Sequence, residues 1–137
     1  MMQAYADEAV RVAAADHGMA LDYSPASIAS LETIVAARRP VPKADQEEAT
    51  QLWGAYFGEV FRRRYPCEWT MTVYPGGEMA MPALEIQGSH IYPLLKIFRR
   101  LTMGSAEDLM AFYQKVTAAL DARSAESEPA GSSGLPE

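Results

Sequence analysis

Glu59 is followed by Arg62 and Arg63, three and four residues on, the spacing at which side chains meet on one helix face. A carboxylate so placed either pairs along its own helix or organises the two guanidinium groups toward an acidic ligand. His90, within Gly88-Ser89-His90-Ile91-Tyr92, has the chemistry of a general base near a strand end, and equally that of an ordinary turn histidine. Cys67 follows Arg62, Arg63 and Arg64, whose charge favours a thiolate, but Pro66 and Trp69 suit a packed and inert thiol, the reading preferred here. His17, Cys67 and His90 stand far apart in no ligand spacing, so no metal is expected. GxGxxG, GxxxxGK[ST] and GxSxG are all missing from the sequence. Gly76-Gly77 reads as a turn, since a strand follows it. Glu47-Glu48 and Glu107-Asp108 open helices, where negative charge suits the macrodipole. No catalytic residue is assigned and no cofactor is expected.

Charge bounds the partners. The chain of 137 residues carries a formal net charge of −6, which disfavours nucleic-acid phosphates and anionic lipid. Residues 60–104 go the other way, with six cations (Arg62, Arg63, Arg64, Lys96, Arg99, Arg100) against Glu68, Glu78 and Glu85, a local +3. The remainder carries −9. With 49% hydrophobic and 22% charged residues, and no long apolar run, the composition is globular and predicts no membrane span. The first eighteen residues lack a basic start and include Asp7, Glu8, Arg11 and Asp16, so they do not read as a secretion signal. A lone cysteine fits a reducing cytoplasm.

The elements that must position these groups follow from periodicity. Met2, Tyr5, Ala9 and Val12 predict a peripheral helix ending near Gly18. A second helix starts at Ser24-Pro25, buries Ile28, Leu31, Ile34 and Val35, and stops at Arg38-Arg39-Pro40. Ala49, Leu52, Trp53, Tyr56, Phe57, Val60 and Phe61 form a wide aromatic stripe on a central third helix. Gly54 and Gly58 on its flank imply a closely packed neighbour. Trp69, Met71 and Val73 then alternate as the inner face of a strand, Tyr74-Pro75-Gly76-Gly77 reverses the chain, and residues 79–87 return. Pro82 suits an edge or bulge in that return strand. Gln87-Gly88 allows a short third strand over residues 89–92. A fourth helix follows Pro93, burying Leu94, Leu95, Ile97, Phe98 and Leu101 with Lys96, Arg99 and Arg100 outside. Ser105 and Asp108 cap a last helix. The expected fold is α+β, a small antiparallel sheet of two to three strands against about five helices, over residues 1–123. Residues 124–137, rich in Ser, Glu, Gly and Pro, read as a disordered tail.

Three segments together carry a resemblance: Leu21-Asp22-Tyr23-Ser24 with Ser27 and Leu31; Gly54-Ala55-Tyr56-Phe57-Gly58-Glu59-Val60 with Arg62, Arg63 and Trp69; and Pro93, Lys96, Leu101 and Gly104 with the run from Asp108 to Tyr113. The chain resembles a group of small bacterial domains of unknown function with a Gly-Ala-Tyr-x-Gly-Glu-Val helix. That resemblance implies a bacterial origin and a shared fold and transfers no catalytic residue.

The leading functional expectation is a non-enzymatic binding protein that neutralises or regulates a protein partner, by analogy of size and class with immunity proteins. Its binding residues would be Glu59, Arg62, Arg63, Arg99 and Arg100, with Arg99 and Arg100 solvent-exposed. The alternative is a small enzyme or ligand-binding domain with a pocket around Glu59, His90 and Arg62 or Arg63, where Tyr56, Tyr74 or Tyr92 orients a ligand. A third reading has the aromatic stripe complete a homodimer.

Overall fold

Glycines and alanines decide which helices can approach the aromatic one. The computed structural model describes residues 1–127. In chain order these form α1 (Met2–His17), α2 (Ser27–Ala37), a 3-10 turn (Lys43–Asp45), α3 (Gln46–Arg64), β1 (Glu68–Val73), β2 (Ala80–Ile86), β3 (Ser89–Ile91), α4 (Pro93–Met103) and α5 (Leu109–Ser127). The fold is α+β, with an antiparallel sheet ordered β1-β2-β3. Every residue of α3 from Trp53 to Phe61 is buried, so this helix is central. That burial takes up the larger part of the aromatic stripe inside the monomer. α1 lies against α3 through Ala6, Ala9 and Ala13, all fully buried, whose small side chains permit close approach. It ends where Gly18 turns left-handed (φ 63°) and Met19 N–H reaches the Ala13 carbonyl.

On the other flank of α3, a Cβ placed on Gly54 would lie 2.8 Å from Leu94 Cα, and one on Gly58 2.3 Å from the Trp69 ring. The start of α4 and the first inward residue of the sheet are thus seated directly on α3 backbone. Gly54→Ala is expected to lose about 1–3 kcal/mol to overpacking, because α4 backbone must move. Helix propensity returns only about 1 kcal/mol. Urea denaturation should therefore show a net loss, and an unchanged or raised midpoint would mean that α4 is not held against Gly54.

The hairpin forms as its turn residues dictate. Gly77 N–H bonds the Tyr74 carbonyl at 2.8 Å with Gly76 at φ 87°, and Gln87-Gly88, both at positive φ, return the chain into β3. Pro82 sits within the middle strand, opposite Met71. β3 pairs only with Leu84 to Ile86, so β2 is an edge on that side at Pro82 and no ladder bond is lost.

Two segments that stand more than thirty residues apart in sequence meet in a packing contact. Tyr23, at φ 65°, stacks on Tyr56 with centroids 4.8 Å apart, and its N–H donates to the Tyr56 hydroxyl at 2.8 Å. That hydroxyl also bonds Ser27 Oγ at 2.7 Å. Burial, with help from Asp7, pushes the Tyr23 hydroxyl up to about 12.

Several expectations need correction. α2 starts at Ser27, because Ser24 to Ala26 form a turn in which Ser24 Oγ accepts the Ser27 N–H. Met71 and Val73 are exposed (62% and 48%), since the helical layer reaches β1 at Trp69. In α4, Phe98 is exposed and Arg100 is buried, the reverse of the pattern expected. α5 begins at Leu109, with Asp108 accepting the Ala111 N–H at 2.9 Å. It continues through Ser127, and Ser124 Oγ accepts from Gln87 Nε2, so the tail boundary placed at Ser124 falls inside a helix. Residues 128–137 of that expected tail lie outside the described residues.

Candidate functional site

The five expected binding residues do not form one surface. Glu59 is 1% exposed and accepts from Arg62 Nη1 at 2.9 and 3.1 Å and from Trp69 Nε1 at 2.7 Å. Arg62 also donates to the Cys67 carbonyl, so this pair joins the end of α3 to β1. Burial pushes the Cys67 thiol up more than Arg62 draws it down, which leaves it a poor nucleophile. Arg63 is exposed and lies over the Tyr23 ring at 4.0 Å. Arg99 is half-buried against Tyr74. Arg100 is buried, with Nε 2.8 Å from Glu32. The expectation of an exposed Arg99–Arg100 pair is therefore wrong for Arg100, because α4 turns that position toward α2.

The alternative constellation does not assemble either. Trp69, the partner of Glu59, is in register with Leu84 and through it with Ile91, whereas His90 is the exposed neighbour of Ile91 and points to the opposite sheet face. His90 belongs instead to a cleft with Tyr74, Tyr92 and Arg99.

The larger concavity is one the sequence did not disclose. A groove of about 500 Å³ runs between α1 and the start of α3, with Arg38 among its lining residues. Val12, Ala49 and Leu52 make its apolar floor, with the fully buried Trp53 beneath them. Exposed carboxylates of Glu8, Asp16, Asp45 and Glu48 rim it. Local sequence explains the arrangement. Tyr5, Glu8, Val12 and Asp16 recur at helical spacing along one side of α1, and Asp45 and Glu48 belong to the first turn of α3 and its approach, where carboxylates suit the helix dipole.

Existing ion pairs neutralise half of this rim. Glu8 pairs with Arg11, whose hydrogen bond holds the carboxyl below its ordinary value. Asp16 lies 3.8 Å from Arg38. Asp45 and Glu48 form no ion pair among the described residues. The groove also holds one guanidinium already: the Arg38 group stands 5.6 Å from the Trp53 ring centroid and donates to His17 Nε2. Among the described residues no three His, Cys, Asp or Glu side chains cluster as metal ligands would. The rim acids are therefore spread along the groove and do not converge on one point. The feature that could have revealed the groove is the acidic residues flanking the apolar positions of α1, together with Trp53.

No protein-family model, curated protein or solved structure matches the chain. No helix among the described residues is long and apolar enough to cross a membrane.

Proposed function

We propose that this is a binding protein that takes an arginine- or lysine-bearing segment of a protein partner into the α1–α3 groove. The observation that carries the reading is an apolar groove, floored by Val12, Ala49 and Leu52, whose exposed rim includes two carboxylates, Asp45 and Glu48, with no ion-pair partner among the described residues. A basic side chain matches both parts. Its methylene stem covers the apolar floor while its charged head stays at the acidic rim. The groove volume lies within the range of roughly 300–1,000 Å³ common to ligand sites. The chain's −6 net charge would steer a basic partner toward it. The partner is thus basic, and an acidic partner on a surface of Arg62, Arg63, Arg99 and Arg100 is set aside because Arg62 and Arg100 are engaged by Glu59 and Glu32.

A peptide alternating leucine and arginine is the probe, with its leucine–glutamate counterpart as control. Binding of the first alone, weakening as salt rises, is expected. Asp45→Asn with Glu48→Gln should lower affinity at least about tenfold, or ~1.4 kcal/mol, in calorimetric titration. Melting of the double variant checks that the α3 N-terminus still folds, since each acid contributes about 0.3–1 kcal/mol there. Full affinity in a folded double variant would exclude this groove.

A further inference from the structure

The turn after β1, β3, α4 and α5 line a second cleft of about 170 Å³. Its walls are ring faces and branched carbons: Tyr74, Tyr92 and Phe112, with Ile91, Leu95 and Val116. Tyr74 and Tyr92 pack edge to face at 5.0 Å and 81°, which fixes both rings. Three nitrogen side chains reach this apolar space, and they differ in what they already hold. Lys96 is bound to Glu107 at 3.0 Å and covers the Phe112 ring at 5.2 Å, so its charge is answered. His90 is exposed. Arg99 forms no ion pair among the described residues. Its guanidinium stands 5.6 Å from the Tyr74 ring centroid, and its one hydrogen bond, to the Tyr74 hydroxyl, is long at 3.4 Å.

We infer that this cleft is a binding site for a small aromatic carboxylate. A guanidinium presents a planar fork of donors that matches a carboxylate two-to-two, and here the fork is oriented by an aromatic face while most of its donors remain open. The ring and branched-carbon walls select a flat apolar body. The volume falls below the roughly 300 Å³ at which ordinary ligand pockets begin, which restricts that body to about a single ring. A bare inorganic anion would satisfy Arg99 and leave the aromatic walls wet. The site shares no lining residue with the acidic groove, so the two proposals stand or fall separately.

Benzoate is the probe, with inorganic phosphate and benzyl alcohol as controls for charge without a ring and a ring without charge. In proton–nitrogen and aromatic NMR spectra of the full chain, benzoate should shift the Arg99 side-chain, Tyr74 and Tyr92 signals in a saturable way, at least tenfold more tightly than either control. Arg99→Gln should weaken benzoate at least tenfold. Arg99→Lys, which keeps the charge and loses the fork, should recover only part of that, with melting unchanged in both variants. Equal affinity for benzoate and phosphate, shifts that miss Tyr74 and Tyr92, or full affinity in a folded Arg99→Gln variant would each overturn the inference.

Discussion

Glu32→Ala should lower the unfolding free energy by about 3–5 kcal/mol, the loss expected when one partner of a buried ion pair is removed. One carboxylate here ties three helices. From α2 it accepts the Arg100 Nε of α4 at 2.8 Å and, at the α5 N-terminus, the Leu109 N–H and the Met110 N–H, the latter at 3.2 Å. The Arg100 side chain is 8% exposed and that of Glu32 20%, so solvent screens the pair little. Truncating Glu32 strands a buried guanidinium and unties two helix donors together. Glu32→Gln retains an acceptor for those donors and should lose less. Arg99→Ala, one residue away on α4 but half-exposed and without an ion pair among the described residues, should cost under about 1 kcal/mol. Urea denaturation of the three variants checks the ranking, and equal midpoints for Glu32→Ala and Arg99→Ala would dissolve the three-helix clasp. By the same geometry Arg100→Glu places two carboxylates in one buried contact, so charge reversal at Arg99 and Arg100 together tests stability before it tests any surface.

The legible and illegible parts of this chain differ by the range of the forces that set them. Turn chemistry is local, and Pro75-Gly76-Gly77 and Gln87-Gly88 disclosed both reversals of the sheet. The α3 stripe and its glycines likewise disclosed a central helix with close neighbours, since periodicity reports burial directly. Arg100 shows where that logic ends. On a helical wheel it reads as a solvated charge beside Arg99, and only Glu32, sixty-eight residues away, makes its burial tolerable. Glu32 has no local signal at all. Met71 and Val73 fail in the opposite sense: their alternation is that of a covered face, but the helical layer does not extend over them. The acidic groove was hidden for a related reason. Glu48 reads as a helix-opening acid and Asp16 as one of the charges that interrupt the first segment, and their shared place on one groove emerges once α1 is laid beside α3. For the cations of residues 60–104, net charge is blind to the carboxylates that answer them, Glu59 beside Arg62 and Glu32 beside Arg100.

Glu59→Ala should destabilise by a comparable amount, about 3–5 kcal/mol, through unpaired charge. Glu59 is held more deeply than Glu32, at 1% exposure, and both its oxygens are occupied by Arg62 while one also takes the Trp69 indole N–H at 2.7 Å. Removing the carboxylate leaves that indole donor with no acceptor, and opens a void beside Gly58, on which the Trp69 ring is seated. Arg62 escapes part of the penalty because its side chain is 29% exposed and Glu68 lies 3.9 Å away. Glu59→Gln fills the same volume and keeps an oxygen for the indole, so it isolates the charge and should lose less than Glu59→Ala. The contrast separates a structural carboxylate from a ligand-organising one. If Glu59 oriented Arg62 toward an acidic ligand, both variants would fold nearly as the parent does and lose binding. If it anchors β1 to α3, stability falls first, in the order parent, Gln, Ala, and the hydrogen-bonded Trp69 indole proton moves in the NMR spectrum of both variants. Parental stability of Glu59→Ala in equilibrium unfolding would refute the anchor and return Glu59 to the list of groups available to a ligand.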